Sequence, residues 1–150
     1  MSNPKARAAV LHASPEDAEA QFYDALRDGD VDRVMAVWAD EEDIVCVHPG
    51  GARVVGPRAV RAAFEAIFAS GQLAVHPEHV KIVQAMGSAV HSVLERIDVV
   101  TVEGPRTGWI VATNVYVKTG QGWRMVAHHA SPGAPDELPE IEEPTPSILH

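Results

Sequence analysis

Apolar positions recur at helical spacing from Ser14 onward, where Ala18, Phe22, Ala25 and Leu26 form a single stripe. The flanking residues agree with a helix there. Ser14 is placed to cap it, Pro15 suits the first turn, Glu16 and Asp17 suit the positive end of the helix dipole, and Gly29 stops it. Asp30 then caps a second, shorter helix over "VDRVMAVWAD", with Val31, Val34, Val37 and Trp38 on one side. Apolar β-formers flank the turn signal Pro49-Gly50-Gly51 in "EEDIVCVHPGGARVVG", which predicts a short hairpin. Pro57 opens a third helix with Val60, Phe64, Ile67 and Phe68 as its buried stripe and Gly71 as its stop.

Beyond Gly71 the pattern changes to long β-rich segments, roughly 73–85, 89–102, 109–119 and 122–131, divided by "MGS", "EGPRTG" and "TGQG". Helices followed by hairpin-linked strands predict an α+β domain with an antiparallel sheet. From Pro132 the chain holds five prolines and five acids with no Lys or Arg. It buries too little apolar surface to offset its ordering entropy, so an extended or disordered tail is expected. Ile141, Ile148 and Leu149 are the residues with which it could dock on a neighbouring surface. The expected organisation is a leader at 1–13, one domain at 14–132 and an acidic, Pro-rich tail at 133–150.

Composition narrows the function. The 150 residues are 46% hydrophobic and 22% charged, enough for one domain with a core. A formal charge of −9, from 21 acids against 12 Lys and Arg, argues against nucleic acid, whose binding needs a basic surface. No apolar run approaches the ~20 residues of a membrane span, and "MSNPKARAAVLHASPEDAEA" lacks the long apolar core of a secretory signal. A cytoplasmic protein without membrane partners is the expectation. Cys46, the single cysteine, excludes an internal disulfide and a multi-cysteine metal site, and in "DIVCVHP" it reads as a small buried hydrophobe.

Three stretches carry a family resemblance: "FYDALRDGDVDRVMAVWADEEDIVCVHPGG", "VVGPRAVRAAFEAIF" and "GWIVATNVYVKTGQGWRMVAHHASP". Over residues 14–132 they resemble the nuclear transport factor 2-like superfamily, which includes SnoaL-like polyketide cyclases, ketosteroid isomerases and the association domain of calcium/calmodulin-dependent protein kinase II. The resemblance implies a cone-shaped α+β barrel, with N-terminal helices packed in a strongly curved antiparallel sheet and a pocket at the open end. It also implies a homodimer formed through the outer sheet face, a small organic molecule as ligand and no cofactor.

Adjacent His128 and His129 must point to opposite faces of a strand. Register with the "HFHRS" strand of the kinase association domain turns His128 and Ala130 toward the pocket and His129 outward, where a structural or interface histidine is natural. Strict alternation also puts Trp123, Met125 and Ala127 on the outward parity. The isomerases' catalytic aspartate aligns with His48, which keeps the following proline and could exchange protons near neutrality. Their oxyanion-binding aspartic acid aligns with Asn114, a donor but not an acid. Their oxyanion-binding tyrosine aligns with Phe22, which has no donor, and Tyr23 is turned about 100° around the helix. Steroid-type isomerisation is therefore not supported. The resemblance makes His48, Asn114 and His128 the candidate catalytic residues.

Phe22, Trp38, Asp40, Arg96, Tyr116 and His129 are the candidate ligand-binding residues. Asp40 is either a pocket acid or a solvated member of its acidic loop. Trp38 is either core or a ligand platform, and Arg96 either grips an anion or forms a surface or interface ion pair. A metal is not expected. "HPEH" at residues 76–79 contains a proline that disfavours the helix its histidines would need, and grouping His48, His128 and Asp40 as a two-histidine, one-carboxylate site runs against the family's usual metal-free chemistry. Two functions stand side by side: a cofactor-independent isomerase, cyclase or lyase using acid–base chemistry, and a non-catalytic ligand-binding or oligomerisation module.

Overall fold

The computed structural model describes residues 12–71, 73–134 and 137–144. Among these residues, α1 spans Pro15–Asp28, α2 Val31–Met35 and α3 Pro57–Ala69. The strands are β1 (Val45–Val47), β2 (Arg53–Val55), β3 (Val75–Gln84), β4 (Ser88–Thr101), β5 (Gly104–Thr119) and β6 (Gly122–Pro132). They form one curved sheet in the order β2-β1-β6-β5-β4-β3, with the helices inside its curve. The α+β cone is the architecture expected from the helices-then-strands pattern and the family resemblance.

Local chemistry explains the element ends. The Ser14 hydroxyl accepts from the Asp17 N–H at 3.1 Å, and Gly29, left-handed at φ 66°, lets the Gly29 and Asp30 N–H groups reach the carbonyls of Leu26 and Ala25. The second helix is shorter than its apolar spacing predicts. The Met125 N–H donates to the Val37 carbonyl and the Ala39 N–H to the Met125 carbonyl, both at 2.8 Å, so residues 37–39 leave the helix to pair with β6. The sheet also departs from pure antiparallel pairing, because β1 runs parallel to β6. A helix and four strands separate these two, so no hairpin dictates their relative direction.

Strand alternation turns His91, Asn114, His128 and Cys46 inward as one row across β4, β5, β6 and β1. The alternation on β6 is not strict. Val115 pairs with Ala127 while Tyr116 pairs with Met125, which leaves Val126 as an extra residue. This bulge resets the parity, so Met125 is buried on the same side as His128, contrary to its sequence assignment to the outward set.

Residues 137–144 form neither helix nor strand. The Gly133 N–H donates to the Trp109 carbonyl at 2.8 Å, and Ile141 is fully exposed. Of the docking residues proposed for the tail, Ile148 and Leu149 lie outside the described residues, as does most of the leader.

Candidate functional site

A cavity of about 290 Å³ opens between the helices and the sheet. Its apolar walls come from Leu26 of α1, Phe64 and Ile67 of α3, and Val75, Ile97 and Ile110 of the sheet, and its polar groups are His48, Glu95 and His128. Among the described residues, no lysine or arginine lines it.

His128 is 3% exposed, and its Nδ1 donates to Asn114 Oδ1 at 2.5 Å. Burial, and then the nearby imidazoles of His48 and His129, push its pKa down to about 3, so the ring is neutral at physiological pH. His48 stands half-buried at the end of β1, with its ring edge-on to Phe64 at 4.9 Å, 6.1 Å from the His128 ring and 3.5 Å from the Cys46 sulfur. Burial lowers its pKa too. The Cys46 thiol is pushed up to about 12, by burial first and then by the Glu95 charge, which keeps it an inert hydrophobe.

Glu95 is not among the candidates the sequence offers, although its neighbour Arg96 is. It lines the cavity and is 5% exposed, and one of its oxygens, Oε2, accepts from the Tyr23 hydroxyl at 2.7 Å. Burial raises its pKa to about 7; the Tyr23 hydrogen bond opposes the rise and the Glu19 charge adds to it. A carboxyl that titrates at neutrality inside a small apolar cavity is suited to giving and taking protons. Its inward placement follows from pairing, which no local sequence pattern signals: with Asn114 inward on β5, its partner His91 is inward on β4, and Glu95 follows four residues on.

Behind the cavity lies a buried polar cluster. Asn114 Nδ2 donates to the Tyr23 hydroxyl at 3.0 Å and to Glu19 Oε2 at 3.4 Å. Glu19 Oε2 also accepts from the Tyr116 hydroxyl at 2.9 Å and from His91 Nδ1 at 2.8 Å. Tyr23 therefore brings a phenol into the polar network from the position beside Phe22, reversing the expectation that its turn around the helix would carry it away. The Phe22 ring packs on His128 at 5.2 Å and on Phe64 at 6.0 Å.

The remaining candidates lie apart from the cavity. Tyr116 is fully buried in the cluster behind it, and Trp38 is core, bridged to β6 through its backbone. Asp40 is exposed, as a solvated loop acid would be. Arg96 faces away from Glu95 and pairs with Glu78 at 2.5 Å and with Asp98 at 3.4 Å. His129 is exposed on the outer sheet face. Strand geometry forces the last two outward, since each follows an inward-facing residue. Among the described residues no three His, Cys, Asp or Glu side chains converge as a metal site requires, so His48, His128 and Asp40 do not come together.

The SnoaL-like domain family matches residues 16–135. A structure from Thiobacillus denitrificans, provisionally described as a calcium/calmodulin-dependent protein kinase type II association domain, is 36% identical, with 82% of this chain and 98% of that chain covered and a TM-score of 0.75. A second, from Streptomyces avermitilis and provisionally described as a dehydratase of the NTF2-like family, is 26% identical over 77% of this chain and 90% of that chain, with a TM-score of 0.68. A Pseudomonas putida NTF2-like protein of unknown function shares the fold at 22% identity and a TM-score of 0.69, over 85% and 93% of the two chains. No protein of curated function matches. No helix among the described residues is long and apolar enough to cross a membrane. With the family pattern covering the helices and the whole sheet that enclose the cavity, this chain belongs to the SnoaL-like domain family.

Proposed function

We propose that the cavity binds a small, uncharged organic molecule and moves a proton on it, with Glu95 as the exchanging acid–base group and His48 and His128 orienting the polar end of the substrate. The observation that carries this reading is the Glu95 carboxyl, which lines an apolar cavity and titrates near pH 7. In its ionised form Glu95 takes a hydrogen from the carbon next to a carbonyl. The carboxylic acid so formed returns that proton to another carbon, as an isomerase does, or to a departing hydroxyl that leaves as water, as a lyase does. The likeness to a protein provisionally described as a dehydratase supports the second outcome. His48 and His128 were the proton-transfer candidates from sequence. Their lowered pKa values suit neutral hydrogen-bonding roles better.

The test is deuterium incorporation into a panel of small β-hydroxyketones in D2O, followed by NMR with wild type and Glu95→Gln. Exchange that wild type accelerates and the variant does not supports the assignment. Equal exchange by both proteins defeats it.

A second reading is an oligomerisation module, with or without chemistry. Val83, Val90, Val115, Ala127, Val45 and Val55 are in register across all six strands and form an apolar row on the outer sheet face. Val83 is 74% exposed and Val90 40% in the single chain, which favours a homodimer closing over this face. The likeness to a protein provisionally described as an association domain points the same way. Val90→Lys tests it by sedimentation: a dimer that falls apart supports the reading, and a wild-type monomer overturns it.

A further inference from the structure

A second carboxylate, Glu19, sits in the buried cluster behind the cavity, and its effect on the Glu95 pKa does not account for the donors gathered around it. Its Oε2 meets three donors, the Tyr116 hydroxyl, His91 Nδ1 and Asn114 Nδ2, so it is an acceptor toward each of them. The Tyr23 hydroxyl has given its hydrogen to Glu95 and offers Asn114 only lone pairs. Both neighbours therefore require the N–H side of the Asn114 amide. Its carbonyl side is left for His128, and a carbonyl oxygen can only accept. The hydrogen of the neutral His128 ring must then be on Nδ1, and the lone pair on Nε2. If the amide turned over, Asn114 Oδ1 would meet Glu19 Oε2 acceptor to acceptor, and the hydrogen on His128 would move to Nε2.

We propose that Glu19, acting through Asn114, is a positioning residue that fixes the tautomer of His128, so that the cavity selects a ligand offering a hydroxyl hydrogen over one offering only an acceptor oxygen. The ligand class is then an uncharged alcohol, phenol or enol, consistent with walls that hold no lysine or arginine among the described residues. The ligand half of the inference rests on the small-molecule reading above. The tautomer half does not.

The tautomer is read from the ring 15N shifts of His128 by NMR at neutral pH. Wild type is expected to show the Nδ1–H form. Glu19→Gln supplies a donor that satisfies a turned-over Asn114, and its His128 shifts are expected to move toward the Nε2–H form. Tyr116→Phe loosens the same cluster but keeps the Glu19 acceptor, so its shifts are expected to stay with wild type, an outcome a merely structural role would not produce. Nε2–H in wild type, or unaltered Nδ1–H in Glu19→Gln, overturns the proposal. If Glu19→Gln does not fold, Asn114→Leu removes the acceptor directly, and persistence of Nδ1–H there overturns it equally.

The ligand class is read with 4-methylphenol and 4-methylanisole. Wild type is expected to favour the phenol by roughly tenfold, the size of one net hydrogen bond, and Glu19→Gln to lose that preference. Equal binding of the two by wild type overturns the selection. Binding of neither at millimolar concentration defeats the small-molecule reading itself, and the imidazole shifts still decide the role of Glu19.

Discussion

Glu95→Gln gives a measurable pH signature in stability. The Glu95 pKa rises from an ordinary 4.5 to about 7 on folding, and each tenfold change in proton affinity corresponds to ~1.36 kcal/mol, so the rise is equivalent to roughly 3 kcal/mol. Between those two pH values the folded protein holds more protons than the unfolded chain, and the free energy of unfolding therefore falls as pH rises. The Glu95 contribution is complete below pH 4.5 and lost above pH 7. Gln has no proton to exchange, and its amide oxygen can still accept from Tyr23. His128 works in the opposite sense: its pKa falls from 6.5 to about 3, so its contribution is present above pH 6.5 and lost as pH drops. Both proteins share that contribution, and it cancels when they are compared. Urea unfolding followed by the fluorescence of the three tryptophans, at intervals from pH 4.5 to 8, should show the stability of wild type relative to Glu95→Gln falling by about 3 kcal/mol across the range. A difference that stays flat with pH would refute the burial argument and with it the acid–base role of Glu95.

Two substitutions and a control probe the frame around the cavity. Gly122 has φ +89°, and a Cβ there would stand 2.8 Å from the His12 carbonyl oxygen and 2.9 Å from its nitrogen, both backbone atoms. Gly122→Ala should cost on the order of 2–3 kcal/mol in thermal or urea unfolding, whereas Gly87→Ala, with open space around it, should stay within about 0.5 kcal/mol; similar losses for the two would count against the close approach of residue 12 to β6. Phe64 is buried against Phe22, Trp38 and His48, so Phe64→Ala should destabilise by about 3–5 kcal/mol, and its enlarged cavity should admit a bulkier phenol than wild type binds, as an NMR titration would report.

The architecture was legible because its signals are local. Ser14, Pro15 and Gly29 bound α1 by their own backbone and side-chain chemistry, and Pro57 does the same for the start of α3. What the sequence concealed depends on pairing between distant segments. The apolar spacing of Val34, Val37 and Trp38 fits a helix, yet β6 takes the backbone groups of residues 37–39 and ends that helix early. Alternation along residues 123–131 is interrupted at Val126, because β6 carries one residue more than β5 needs.

The site shows the same division between local and long-range information. His128 is assigned inward through its resemblance to the last strand of the kinase association domain, whereas no such guide serves Glu95, since Glu95 and Arg96 are adjacent and the strand alone does not say which of them faces in. The register does: Asn114 pairs with both His91 and His128, and alternation then fixes Ala89, Val93, Glu95 and Ile97 as the inward set on β4. Arg96, placed outward, meets Glu78 and Asp98 on the surface, where solvent makes such pairs inexpensive to form. A carboxyl placed inward among Leu26, Phe64, Ile97 and Ile110 keeps its proton up to neutral pH. One step along the strand therefore separates a surface ion pair from a candidate acid–base group, and cross-strand register, which no local pattern in β4 encodes, decides which residue becomes which.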